Sequence, residues 1–106
     1  MQAKIVFSTC PGGAEAERLA ELLVHEKLAG CVNIVPGLSS IYRWKDAIEK
    51  DAESLLIIKT SADRLPDLQK TLIAEHPYET PEFVVLDIER MSEGYAAWLS
   101  SVLGRE

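Results

Sequence analysis

Cysteine is scarce in this chain of 106 residues: Cys10 and Cys31 are the only two. No Cys-x-x-Cys, His-x-x-x-His or His-Glu-x-x-His spacing occurs, so no short segment carries a ready-made metal site. A Ser-His-Asp arrangement, a phosphate loop of a known form and a dinucleotide fingerprint are also missing, and the chain reads as something other than an enzyme. No apolar run approaches the roughly 20 residues of a membrane helix, so no membrane partner is expected. The N-terminus lacks a basic region followed by an apolar stretch and a small-residue cleavage site. The cytoplasm, with both thiols reduced, is therefore the expected location. Positive charge is in deficit, 11 basic against 17 acidic residues for a net charge of −6. That balance speaks against nucleic acid, which demands a basic footprint. No block of five like charges occurs, so no acidic tail is implied.

What is present suits one folded domain over residues 1–106. An apolar share of 47% and a charged share of 26% are ordinary for a globular chain. Folding at this size buries roughly two-thirds of the unfolded surface, enough for a core without staples. Lys4–Thr9 is β-branched and aromatic and reads as a first strand, broken by Pro11-Gly12-Gly13. Residues Ala14–Leu28 carry Leu19, Leu22, Leu23 and Leu28 at helical spacing, with Gly30 as the expected stop. Cys31–Trp44 is a long second strand, bent rather than ended by Pro36-Gly37. Lys45-Asp46 forms a hairpin tip, and a third strand runs from Ala47 to Thr60. Its apolar end, Leu55 to Ile58, suits a central strand.

Ser61 or Asp63 is positioned to cap a second helix over Arg64–Glu75, with Leu65, Leu68, Leu72 and Ile73 facing inward and Pro77 ending it. Glu82–Ile88 is a fourth strand, and Ser92-Glu93 opens a short final helix. The order β-α-β-β-α-β-α predicts an α+β, ferredoxin-like sandwich with an extra C-terminal helix. Its four-stranded antiparallel sheet has long second and third strands. A hairpin that long outruns what one small domain can cover, and an uncovered strand edge invites aggregation, so an oligomer is expected.

Several phrases together resemble the CutA family of divalent-cation tolerance proteins. They are Ser8-Thr9-Cys10-Pro11, the run from Lys27 to Gly37, Ser40-Ile41-Tyr42-Arg43-Trp44, Ile58-Lys59-Thr60, the run from His76 to Glu82, and Tyr95 with Trp98-Leu99. The likeness covers nearly the whole chain in order and spacing. It implies a ferredoxin-like homotrimer in which the long second and third strands extend each sheet into its neighbour, closing a ring of heterologous contacts. It also implies a role with divalent metal ions, copper among them. The architecture is similar to that of the PII signalling proteins, which implies an alternative: a small metabolite or anion bound between subunits and reported to a protein partner. Members of the family often have glycine at the hairpin tip, where this chain has Lys45-Asp46-Ala47.

The candidate metal ligands are Cys10 and His76. The first strand and the second helix end at the same edge of the sheet, which brings these two to one side, whereas Cys31 starts at the opposite edge. A thiolate with an imidazole favours copper or zinc over calcium or magnesium. Two ligands make an open site unless Glu79, Glu82 or a neighbouring chain contributes. The plainer reading makes Cys10 a small strand-end residue and His76 a helix-terminal histidine. Cys31 reads as packing and His25 as a solvated surface histidine. The loop His76–Glu82, stiffened by two prolines, is the densest polar loop. Tyr42, Trp44 and Trp98 suit either a cleft or an interface core, and Lys59 suits an anion or a carboxylate partner.

Overall fold

A computed structural model describes residues 1–104. Strands β1 (Ala3–Cys10), β2 (Cys31–Trp44), β3 (Ala47–Ser61) and β4 (Val84–Asp87) and helices α1 (Ala14–His25), α2 (Leu65–Glu75) and α3 (Glu93–Leu103) follow in the order β1-α1-β2-β3-α2-β4-α3. The sheet order is β2-β3-β1-β4 with every neighbouring pair antiparallel, the ferredoxin-like arrangement expected from the sequence. The apolar run of β3 is central because it lies between β2 and β1.

One face of the sheet presents Val6, Ser8 and Cys10 of β1 with Leu56 and Ile58 of β3, all fully buried. Against them α1 lays Leu19 and Leu23, and α2 lays Leu68 and Leu72. The spacing of four within each helix puts each pair on one stripe, and that stripe makes the core. Leu65 packs partly against it, whereas Ile73, expected to face inward, is exposed. The reason is geometric: one residue past Leu72, Ile73 is rotated by about 100° off the stripe.

α1 ends earlier than the leucine spacing implied. Lys27 adopts a left-handed φ of 59°. Its amide donates to the Val24 carbonyl at 3.0 Å, while the Leu28 amide reaches the Leu23 carbonyl at 2.9 Å. These two bonds form a Schellman termination, sealed by buried Leu23 and Leu28. The stop is thus at Lys27, not at Gly30. A lysine bears a steric cost in this conformation that glycine escapes, partly offset by the unfolded-state freedom of glycine. Lys27→Gly is therefore expected to stabilise the fold by about 0.5–1 kcal/mol, read as a higher urea midpoint at unchanged slope.

Gly30 has a different duty. A Cβ there would overlap Leu99 Cδ1 of α3 and lie 3.0 Å from Val102 Cγ2. The glycine lets α3 approach the backbone closely, while the Gly30 amide donates to the Lys59 carbonyl at 2.9 Å.

The 3₁₀ turn Ala62–Arg64 precedes α2, so the helix begins at Leu65 with Pro66 in its first turn. The N-cap position of α2 falls to Arg64, which makes no side-chain cap, and Ser61 donates to Asp63 at 2.5 Å. Arg64 donates to the Leu103 carbonyl and so satisfies the end of α3. β4 is shorter than Glu82–Ile88 because its ladder with β1 spans only Lys4↔Asp87 to Phe7↔Val84.

The hairpin extends well beyond the domain. β1 pairs with β3 only as far as Cys10↔Ser54. From Leu38↔Glu53 to Trp44↔Ala47, β2 and β3 have only each other. The seven residues per strand make an arm of about 20 Å, consistent with an overall length of 46 Å against widths of 25 and 22 Å. A register shift between Val35 and Leu38, with Gly37 at φ 77°, marks the bulge at its root. At the tip, Lys45 and Asp46 have φ of 50° and 69°. Positive φ at both central residues is the signature of a type I′ hairpin, so the turn survives without glycine. The Lys45 ammonium also sits 5.7 Å from the Trp44 ring centre.

Candidate functional site

The end of β1 and the end of α2 do converge. His76 follows α2, its amide held by the Leu72 carbonyl at 2.9 Å. The ring Nε2 lies 2.9 Å from the Thr9 carbonyl, one residue before Cys10. The Tyr78 amide donates to Nδ1 at 3.1 Å. Nδ1 therefore carries the lone pair and Nε2 the proton, which it gives to Thr9. Both ring nitrogens are engaged, and His76 is only 7% exposed.

Cys10 is fully buried. Burial pushes its thiol above the ordinary range, and the nearby carboxylates of Glu53 and then Glu15 push it further. Glu53 is itself buried and accepts a 2.6 Å hydrogen bond from the Tyr78 hydroxyl. Burial first, and the bond to Glu53 second, hold the Tyr78 phenol well above its usual pKa. The Tyr78 ring centre lies 4.7 Å from that of His76. Cys10, His76, Tyr78 and Glu53 thus form one corner beneath the root of the arm.

This corner does not fit a preformed metal centre. A thiolate is disfavoured, both imidazole nitrogens are occupied, and no group of three or more His, Cys, Asp or Glu fit to hold an ion occurs among the described residues. The carboxylates that act on Cys10 are Glu53 and Glu15, whereas the sequence pointed to Glu79 and Glu82. Glu53 was not legible in the sequence, because the register that sets Ser54 opposite Cys10 joins β1 to β3, strands far apart in the chain.

The other candidates lie elsewhere. Cys31 pairs with Lys59, five residues along β3 from Ser54, or about 17 Å from the level of Cys10. It is half-buried rather than packed away, and both cysteines are free. His25 is exposed at the end of α1. Tyr42 donates to Asp51 across the arm, and that bond, with lesser help from burial, pushes its phenol up to about 12. Trp44 and Trp98 are each about two-fifths exposed. Lys59 lies 5.7 Å from the Tyr95 ring centre, and Tyr95 stands 5.3 Å from Trp98. Lys59 makes no ion pair among the described residues. No described helix is long and apolar enough to cross a membrane.

Comparison with known proteins gives this geometry a context. The family model described as CutA1 divalent ion tolerance protein matches residues 4–102. The divalent-cation tolerance protein CutA of Thermus thermophilus is 44% identical over 101 residues, 95% of this chain and 98% of that protein. Its solved structure superposes with a TM-score of 0.89, covering 92% of this chain and 94% of that one. The structure titled periplasmic divalent cation tolerance protein CutA from Archaeoglobus fulgidus gives a TM-score of 0.92 at 33% identity, covering 95% and 98% of the two chains. The chloroplastic CutA of Arabidopsis thaliana is 42% identical over 97 residues, 92% of this chain but 53% of that protein. This chain thus spans about half the length of that plant relative. The shared sequence over almost every element, and the shared fold, place the chain in the CutA1 divalent ion tolerance protein family.

Proposed function

We propose that the chain serves divalent-cation tolerance as a non-enzymatic cytoplasmic homotrimer that takes up a soft divalent ion, copper first, weakly at the Cys10–His76 corner. The observation that carries this reading is the convergence of the buried thiol, the imidazole and two carboxylates at one end of the sheet. An ion must displace the Cys10 proton and break a hydrogen bond of His76, so binding is a response to metal rather than tight storage. Two free thiols suit a reducing compartment. The uncovered arm supports assembly, since an isolated two-stranded ribbon is marginal in water.

Protons compete with the ion for both ligands, and the Cys10 thiol is already pushed up. Copper uptake is therefore expected to rise with pH through the neutral range and to fall in acid. Native mass spectrometry of metal-free protein titrated with copper tests this, with about one ion per chain expected. Cys10→Ser combined with His76→Ala should lose that uptake at least tenfold; unchanged uptake in the double variant rejects the corner. A second reading, a small anionic metabolite held between subunits, is favoured by Lys59 standing over Tyr95 with no ion-pair partner among the described residues. It predicts a ligand-dependent rise in melting temperature that is lost in Lys59→Ala.

A further inference from the structure

The arm begins at one pair of residues. Glu53 is the first residue of β3, counted from β1 outward, with no β1 partner, and Leu38 opposite it is the first paired residue of β2 beyond the bulge. Past that point no third strand fixes the direction of the ribbon, and a bulge bends and twists the strand beyond it. Among the described residues, the Tyr78–Glu53 bond is the only side-chain hydrogen bond joining the arm to the domain; Tyr42–Asp51 lies within the arm itself. Tyr78 is placed by the His76 ring, which accepts its amide proton and bonds Thr9 at the same time.

We propose that Tyr78 is a positioning residue that aims the arm through Glu53, with the His76 ring holding Tyr78 in place. The inference rests on the reading of the chain as a homotrimer assembled through the arm. Glu53 is buried, so its carboxylate depends on the phenol, and a hydrogen bond to a charged group at a hinge restricts angle as well as adding strength.

The test compares the parent with Tyr78→Phe, Glu53→Met and Glu53→Gln. Its readouts are trimer dissociation on dilution and amide exchange over residues 47–53. Tyr78→Phe and Glu53→Met should each weaken assembly about tenfold and speed exchange in the arm but not in α1. Glu53→Gln, which keeps an acceptor oxygen, should lie between them and the parent. The Tyr78→Phe, Glu53→Met double variant should be no weaker than either single one. Equal dissociation and equal exchange in parent and variants overturn the tie. A parent that is monomeric overturns the assembly reading instead, and exchange in the arm still decides whether Tyr78 holds it. Should Tyr78→Phe fail to fold, the Glu53 pair carries the same comparison.

Discussion

Gly30→Ala is expected to destabilise the fold by about 1–3 kcal/mol, the usual cost of overpacking a filled site. The added methyl meets Leu99 Cδ1, and Leu99 is fully buried, so its side chain has no free volume to enter. Leu99→Ala alone should cost about 2–5 kcal/mol by leaving a cavity under α3. The two changes act on one volume. Their combination should therefore cost clearly less than the sum of the single losses, because the new methyl occupies part of the vacated space. Urea denaturation of the four proteins measures the cycle. Strict additivity would show that α3 does not rest on Gly30 in solution.

The second large effect concerns assembly. Ile41 and Ile48 are 68% and 63% exposed, and the register puts them on one face of the arm with Arg43 and Lys50. Among the described residues, most of each isoleucine is left uncovered. Ile41→Glu with Ile48→Glu should cost the folded domain no more than about 0.5 kcal/mol, since both are surface sites in the protomer. In a trimer built on the arm, each buried isoleucine contributes about 1.5–3 kcal/mol, so the double variant should need a protein concentration at least about 100-fold higher to assemble. Analytical ultracentrifugation would then find a species near the chain mass of 11.7 kDa. A variant that remains trimeric at low concentration would rule out this face of the arm as the contact.

Both predictions turn on residues whose duty the chain order disguises. Gly30 follows a leucine-rich helix and reads as its terminator, yet the helix is ended by Lys27, a residue that sequence rules do not nominate for a left-handed turn. Ser61 and Asp63 have the chemistry of helix caps, but a 3₁₀ turn intervenes and they bond each other. In both places a different local termination took the position: a Schellman turn ends α1 before Gly30, and the 3₁₀ turn shifts the start of α2. Topology alone places Cys10 and His76 at one edge. Their hydrogen bonding was not legible, since it depends on the rotation of the imidazole between Thr9 and Tyr78.

Strand and helix order, the central place of β3, the excess length of the hairpin and the likeness to the CutA family were all readable from the sequence. Each rests on periodicity, turn chemistry or a run of matched phrases, and those are local properties of the chain. Only the tertiary structure showed that Glu53 leaves β1 at the root of the arm, that Tyr78 holds it there, and that Glu53 and Glu15 rather than Glu79 and Glu82 act on Cys10. These are relations between residues far apart in the chain, set by strand register and by the packing of a proline-stiffened loop, and no short window of sequence contains them.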